Sequence, residues 1–298
     1  MAVTYDYYRI FYYVAKYQSF TRAAKILMNN QPNITRAMNN LERELNCRLF
    51  IRSNRGVTLT PEGKKLFDHV QIAQEHLQAG EYELSGERSL EAGNVSISAS
   101  ETALHGLLLP VLQKFHLAWP GIRIQISNHS TPQAVAAVKS GLVELAVVTS
   151  PTGAARSLRE IRLKEFREIL IAGKHFKELA NRQISLKELA KYPMVCLGRD
   201  TKTYEFYSQL FSQHDAVLQP DIEAATADQI LPMVKHDLGL GFLPESFAKE
   251  ALERGDVFPV QLKETIPSRY ICLIKDSGRP LSIAAKELEK LIRGAGNL

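Results

Sequence analysis

Cysteine is scarce in this chain, and its three copies stand far apart. Cys47, Cys196 and Cys272 make no CxxC pair and no metal-ligand spacing, so neither a disulfide framework nor a structural zinc site is expected. Reduced thiols in a cytoplasmic protein are the simplest reading. A redox role for Cys196 stays open, but no second cysteine lies within a short loop of it. Long apolar runs are missing too. No window approaches the roughly 20 apolar residues needed to cross a bilayer, so no membrane partner is expected. The start, MAVTYDYYRIFYYVAKYQ, is interrupted by Tyr, Asp, Arg and Lys and does not read as a signal peptide. There is no GxSxG nucleophile elbow, no P-loop and no His/Cys/carboxylate cluster at ligand spacing. Gly239-Leu240-Gly241 lacks the third glycine of a dinucleotide fingerprint. An enzyme is therefore not expected, nor a metal or organic cofactor. His69 and His76, seven residues apart, read either as a metal pair across a dimer or as solvated side chains.

Acidic charge is thin at one end. Up to Lys65 there are eleven Lys and Arg against four acids, a local balance of +7 in a chain whose net charge is +5. The remainder is left at −2. A basic head on a near-neutral body is the electrostatic footprint of a nucleic-acid-binding domain fused to something else. At 298 residues and 33.5 kDa the chain suits one small domain and one larger one.

The stretch from Ser19 to Pro61, SFTRAAKILMNNQPNITRAMNNLERELNCRLFIRSNRGVTLTP, reads as helix, turn, helix and wing. Before it, Tyr7, Ile10, Phe11 and Val14 fall at helical spacing. Thr21 is placed to cap the second helix, and Ala23, Ala24 and Leu27 let two helices cross closely. Asn30 is a strong N-cap for the third, with Pro32 in its first turn, where a missing N–H costs nothing. Ile34, Ala37, Met38, Leu41 and Leu45 face the core. The opposite face carries Gln31, Asn33, Thr35, Arg36, Asn39 and Asn40, rich in amides and hydroxyls and poor in carboxylates, as a helix that meets base edges and phosphates requires. Asn46 stands where a left-handed C-cap belongs. Arg52 and Arg55 flank a turn that Gly56 permits, and a narrow minor groove attracts guanidinium groups.

Thr60-Pro61-Glu62 is a compact helix start. From there Leu66, Val70, Ala73, Leu77, Gly80 and Leu84 step by 4, 3, 4, 3 and 4, a seam of about three heptads on a helix on the order of 40 Å long. It reads as a dimerisation helix, with packing against its own domain as the alternative. Beyond Asn94 strand and helix patterns alternate: NVSISA, ALHGLLLPVLQKFHLAW, IRIQIS, PQAVAAVKSG and LAVVTS give βαβαβ and call for a mostly parallel sheet. A second, less regular set follows and RYICLIK with SIAAKELEKLIRGAG closes the chain. The boundaries expected are 1–60 for the DNA-binding domain, 61–92 for the linker helix and 93–298 for a two-lobed domain. Its first lobe takes 93–165 and 266–298, its second 166–265.

Phe20-Thr21-Arg22-Ala23-Ala24, Gln31-Pro32, Thr35-Arg36, Leu41-Glu42, Leu49-Phe50, Arg52 and Leu59-Thr60-Pro61-Glu62-Gly63 together resemble the bacterial LysR-type transcriptional regulators. LLLPVLQKFHLAWPGIRIQI and LGLGFLP resemble the family's effector domain, so the resemblance spans essentially the whole chain. It implies an α/β protein with an N-terminal all-α winged helix-turn-helix, followed by two α/β lobes like a type II periplasmic solute-binding protein. The implied function is a sequence-specific DNA-binding regulator whose DNA binding or bending responds to a small-molecule effector held between the lobes. Its implied partners are a double-stranded DNA operator, further copies of itself as a dimer or tetramer, RNA polymerase and the effector. Sequence and resemblance together give Thr21, Arg22, Asn30, Gln31, Pro32, Asn33, Thr35, Arg36, Asn39, Arg52 and Arg55 as DNA-binding residues. Leu66, Val70, Ala73, Leu77 and Leu84 are assigned to dimerisation. The resemblance points to Ser100, Thr102, Ser130, Thr131, Thr149, Thr201, Thr203 and Thr226 as effector-binding residues. Hydroxyls and free N–H groups at helix starts also make an anion-tolerant pocket, or serve as plain caps. Arg199 reads as a carboxylate partner or as a surface residue. The chain departs from the family with Asn30, Asn33-Ile34, Asn46 and Asp237, the last replacing a glycine at a helix end. A solute-binding protein with an accessory helical domain also explains the lobes, but not the basic capped helices.

Overall fold

Aromatic and aliphatic side chains at three- and four-residue spacing draw Tyr5–Tyr17 into the first helix, α1, with Phe11 and Val14 fully buried. The computed structural model describes residues 3–53, 56–84, 90 and 93–296. The chain divides into two units, Met1–Arg88 and Ser89–Leu298.

In the first unit α1 is followed by α2 (Phe20–Ile26) and α3 (Gln31–Glu44). The cap of α2 is Ser19, not Thr21: Ser19 Oγ accepts the Arg22 N–H at 3.2 Å, three residues on, and Thr21 falls in the first turn. Asn30 caps α3 as expected, accepting the Asn33 N–H at 2.9 Å, and Pro32 lies in the first turn. Ile34, Ala37, Met38 and Leu41 are buried against Phe11, Val14 and Ala23. The helix stops at Asn46, whose φ of 49° is the left-handed geometry its amide side chain tolerates. Strands β1 (Phe50–Ser53) and β2 (Gly56–Leu59) pair antiparallel from Phe50↔Leu59 to Ser53↔Gly56. Arg52 is described here only as backbone of β1, and Arg55 lies outside the described residues.

Helix α4 (Pro61–Leu84) starts as the sequence requires. Thr60 Oγ1 accepts the Gly63 N–H at 2.9 Å and donates its own proton to the Arg48 carbonyl at 2.7 Å. Gly63 is obligatory, because a Cβ there would stand 2.1 Å from the Leu49 carbonyl oxygen. The heptad seam divides in two. Val70 is buried in the unit's own core, and Leu66 and Phe67 pack against it, Phe67 stacked on Tyr12 at 5.9 Å. Those first positions therefore complete the monomer, because α1 reaches that far along α4. Ala73 and Leu77 are exposed, Leu77 by 46 %. The side chains of His76, Gly80 and Leu84, and the helix end expected near Gly93, lie outside the described residues.

The second unit holds two sheets. Strand β3 (Gly93–Ala99) leads into a helix built from α5 (Glu101–Ala103), a π-helical turn at Leu104–Leu108 and α6 (Leu109–Ala118). Then come β4 (Ile122–Asn128), α7 (Thr131–Ser140), β5 (Leu145–Thr149) and β6 (Leu158–Phe166). After one residue the chain enters the second sheet with β7 (Glu168–Ala172), followed by β8 (Gln183–Ile184), α8 (Leu186–Leu189), β9 (Met194–Leu197) and α9 (Lys202–Gln213). It continues through β10 (Ile222–Ala224), α10 (Ile230–Lys235), β11 (Leu240–Pro244), α11 (Glu245–Glu253) and β12 (Phe258–Leu262). It returns to the first sheet as β13 (Arg269–Asp276) and ends in α12 (Ile283–Gly296).

The sheet orders are β4-β3-β5-β13-β6 and β10-β9-β11-β7-β12-β8. Both are mixed rather than mostly parallel. β3 runs parallel to β4 and β5, whereas β13 runs antiparallel to β5 and β6, and β7 antiparallel to β11 and β12. The reversal comes from the two crossings, since a strand arriving from the other sheet enters at the opposite end. Helices cover both faces of each sheet: α6 and α12 against α7 on the first, α8 and α9 against α10 and α11 on the second.

Candidate nucleic-acid interface and effector cleft

On α3 the residues opposite the core are where periodicity puts them. Gln31, Pro32, Thr35, Arg36, Asn39 and Asn40 line one shallow surface concavity. Thr21 reaches this surface from α2, its hydroxyl 3.0 Å from Gln31 Oε1. Arg22 is exposed, its guanidinium 5.8 Å from the Tyr17 ring centre. Asn40 is partly tied to the scaffold, donating to Tyr7 Oη at 3.1 Å. Glu42 braces the end of α3. Its Oε1 accepts the N–H groups of Leu49 at 2.7 Å and Phe50 at 3.1 Å, fixing the helix to the first wing strand. A carboxylate that occupies two backbone donors also withdraws its charge from a surface suited to phosphates.

The eight hydroxyl residues expected to hold an effector separate into two groups. Ser100 and Ser130 stand at neighbouring strand ends, since Ala99 pairs with Asn128. Ser100, like Ser127 on β4, has a buried Oγ without a hydrogen-bond partner among the described residues, whereas Ser130 forms a capping box with Gln133 at the start of α7. Thr102 lines a cavity of about 980 Å³ between the sheets, together with His105, Phe166, Asp228, Pro244 and Phe247. All the others but Thr226 are engaged by the protein itself. Thr201 caps α9, accepting the Tyr204 N–H at 3.1 Å and donating to the Gly198 carbonyl at 2.7 Å. Thr131 is buried with its hydroxyl 3.4 Å from the Thr149 carbonyl, and Thr226 precedes a short helix without capping it. Arg199 pairs with Glu223 at 3.2 Å on the surface, which is its solvated reading.

Thr149 and Thr203 come together, but around an arginine that the sequence reading did not single out. Arg269, 2 % exposed, is the first residue of β13. Its Nη2 donates to Thr149 Oγ1 and Thr203 Oγ1, each at 3.0 Å, its Nη1 to both oxygens of Glu168 at 3.1 Å, and its Nε to the Ser150 carbonyl at 2.6 Å. The guanidinium also lies over Phe166 of the first sheet, 5.6 Å from its centre, and Phe206 of the second, 5.0 Å away. Tyr207 donates to Glu168 Oε2 at 2.5 Å. Burial, and then the Glu168 carboxylate, hold that phenol well above its ordinary pKa, so it stays a donor. The cluster rivets the two sheets at their crossings. Its sequence signal was a lone charge heading an otherwise apolar strand, twice over: Arg269 before YICLI and Glu168 before ILIA.

Asp237 occupies the glycine-like position at the end of α10 with φ 60°, and its Oδ1 accepts the His175 N–H at 2.8 Å. Cys196 and Cys272 are buried, and burial raises both thiols to about 12. Neither presents the thiolate that redox sensing uses. His69 is exposed, and no group of three or more His, Cys, Asp or Glu suited to a metal occurs among the described residues. No helix among them is long and apolar enough to cross a membrane.

Comparison with known proteins agrees with this geometry over both units. The profile of the bacterial regulatory helix-turn-helix protein, lysR family, matches residues 5–64, and that of the LysR substrate binding domain matches residues 88–296. A probable RuBisCO transcriptional regulator of Gracilaria tenuistipitata var. liui is 28 % identical over 300 aligned positions, covering 97 % of this chain and 95 % of the relative. The HTH-type transcriptional regulator BbuR of Bordetella bronchiseptica is 27 % identical, over 87 % of this chain and 79 % of its own. Among solved structures, full-length CbnR complexed with its target DNA superposes with a TM-score of 0.69 at 16 % identity, covering 98 % of this chain and 99 % of that one. A full-length OxyR variant from Pseudomonas aeruginosa gives 0.67 at 18 %, covering 100 % and 96 %. These relatives are transcriptional regulators rather than enzymes, and the chain belongs to the LysR family of transcriptional regulators, with its helix-turn-helix domain at the N-terminus and a LysR substrate-binding domain after it.

Proposed function

We propose that this regulator reads a two-fold DNA operator with paired winged helix-turn-helix heads, and that a small molecule held between its two α/β lobes changes how it binds or bends that DNA. The observation that carries the DNA half is the exposed amide- and hydroxyl-rich face of α3, from Gln31 to Asn39, on a domain with a balance of +7. Gln31 offers a donor and an acceptor to a base edge, Pro32 an apolar contact for a thymine methyl, and Arg36 a phosphate contact that positions without specifying. Arg52 and Arg55 are assigned to the wing's backbone or minor-groove contacts. The exposed Ala73 and Leu77 on α4 support pairing through that helix, and the solved structure of CbnR with its target DNA supports DNA as the partner. Two dimers assembled as a tetramer span two such sites, and the bend between them sets the contact with RNA polymerase.

Unpartnered hydroxyls support the effector half. Ser100 and Ser127 carry buried hydroxyls whose hydrogen bonds a ligand is suited to complete, beside the Glu101 carboxylate, which accepts from Asn128 Nδ2 at 2.7 Å. A gel shift with full-length protein and salt titration tests the first half: sequence-specific binding should weaken about a thousandfold or more between 50 and 200 mM salt. Flat, salt-insensitive binding removes it. A thermal-shift screen of carboxylates and amino acids tests the second, since a ligand at about 100 times its Kd adds about 2.7 kcal/mol to stability. A ligand that leaves both footprint and bend angle unchanged would show that the two halves are not coupled.

A further inference from the structure

We infer that Asn29, in the turn before α3, is a positioning residue that fixes which way the Asn33 side chain faces. Asn33 thereby presents a carbonyl acceptor to the DNA and selects an amino-bearing base, adenine or cytosine. The inference rests on the DNA-reading role proposed above and specifies its chemistry at one position. A backbone N–H only donates. The Asn29 atom 2.8 Å from the Asn30 nitrogen is therefore Oδ1, since an amide NH2 in that place would oppose donor to donor. The same Oδ1 lies 3.1 Å from the Asn33 side chain, which must then offer Nδ2. Because the amide is planar, Asn33 Oδ1 is turned away from Asn29, with no partner among the hydrogen bonds of the described residues. Asn30 Oδ1 meanwhile holds the Asn33 N–H at 2.9 Å, so backbone and side chain of Asn33 are fixed by adjacent amides. Thr21 and Gln31 make no comparable lock, because a hydroxyl donates or accepts with equal ease.

Asn33 is exposed in the first turn of α3, the part of a reading helix that meets base edges. In the major groove the complements of an acceptor are adenine N6 and cytosine N4. Guanine O6 and N7 and thymine O4 are acceptors and repel it. A duplex laid over this turn removes its water, and the Asn29–Asn33 bond then strengthens as the local dielectric falls.

The test uses the full-length protein. Selection from a randomised duplex library defines the preferred site, and duplexes with single-base substitutions are then titrated with wild type, Asn29→Ala, Asn29→Asp and Asn33→Ala. Wild type should prefer A or C over G or T by about tenfold at one position per half-site. Asn33→Ala should abolish that preference. Asn29→Ala should relax it, because Asn33 is then free to turn its NH2 toward G or T. Asn29→Asp keeps the acceptor and should retain the preference while weakening every duplex alike through its charge. If selection returns no enriched sequence, the DNA-reading role itself fails. If a site is enriched but Asn29→Ala leaves every base preference intact and only lowers affinity uniformly, Asn29 is merely structural and the inference is overturned.

Discussion

At the scale of single residues, burial decides which groups are reactive and which are locked. With both thiols raised to about 12, Cys196 and Cys272 carry about one thiolate in ten thousand at pH 8. Iodoacetamide at that pH should therefore modify the half-buried Cys47 first and reach the other two only on denaturation, as mass spectrometry of the labelled peptides will report. Asp237 is strained by its left-handed φ and supported by the His175 N–H. Asp237→Ala should keep the strain, lose the bond and cost about 1–2 kcal/mol in chemical denaturation. Arg269 is the sharper case. Arg269→Met leaves Glu168 buried with no opposite charge and should cost about 3–5 kcal/mol. Adding Glu168→Leu should recover most of it, which a double-mutant cycle measures. Residues whose role follows from local spacing were legible in the sequence, as with Asn30 capping three residues ahead or Asn46 ending a helix. Arg269 was not, because its partners Thr149, Ser150, Glu168 and Thr203 lie far from it along the chain.

Among the elements, legibility followed hydrophobic pattern. RYICLIK and LAVVTS are apolar runs and form the buried strands β13 and β5 as read. β6 and β12 escaped. LREIRLKEF is the edge strand of the first sheet, where alternating charges face water and hide the strand signal. FPVQL carries a proline, which demotes a strand on pattern alone. The cap of α2 was displaced by two residues because Ser19 and Thr21 are equally good hydroxyl caps, and the fold of the turn chose between them. The entry of α4 yields a prediction at this scale. Gly63→Ala forces a methyl to within 2.1 Å of the Leu49 carbonyl, where backbone rather than a side chain must give way. The variant should lose about 1–3 kcal/mol and melt the first unit ahead of the second, a separation that calorimetry resolves.

Over the whole molecule, α4 combines packing within the first unit with the pairing proposed for it. Its first half closes the core of the first unit through Leu66, Phe67 and Val70, and further along Ala73 and Leu77 are exposed. Substitutions on the two halves should therefore separate. Val70→Asp should unfold the first unit by circular dichroism, whereas Leu77→Asp should leave it folded and shift sedimentation toward smaller species. If Leu77→Asp sediments as wild type does, pairing through α4 is wrong. The bipartite plan was visible in the charge imbalance and the change of periodicity near Asn94. The mixed order of the sheets was not, since which strand neighbours which is settled by crossings that leave no local mark. One of those crossings is a single residue, Arg167, between Phe166 at the end of β6 and Glu168 at the start of β7. So short a joint has no slack. Any turning of one sheet against the other on that side is torsion about the two backbone dihedrals of one amino acid, a pivot bordering the 980 Å³ cavity, while the return from Leu262 to Arg269 trails as the looser tether.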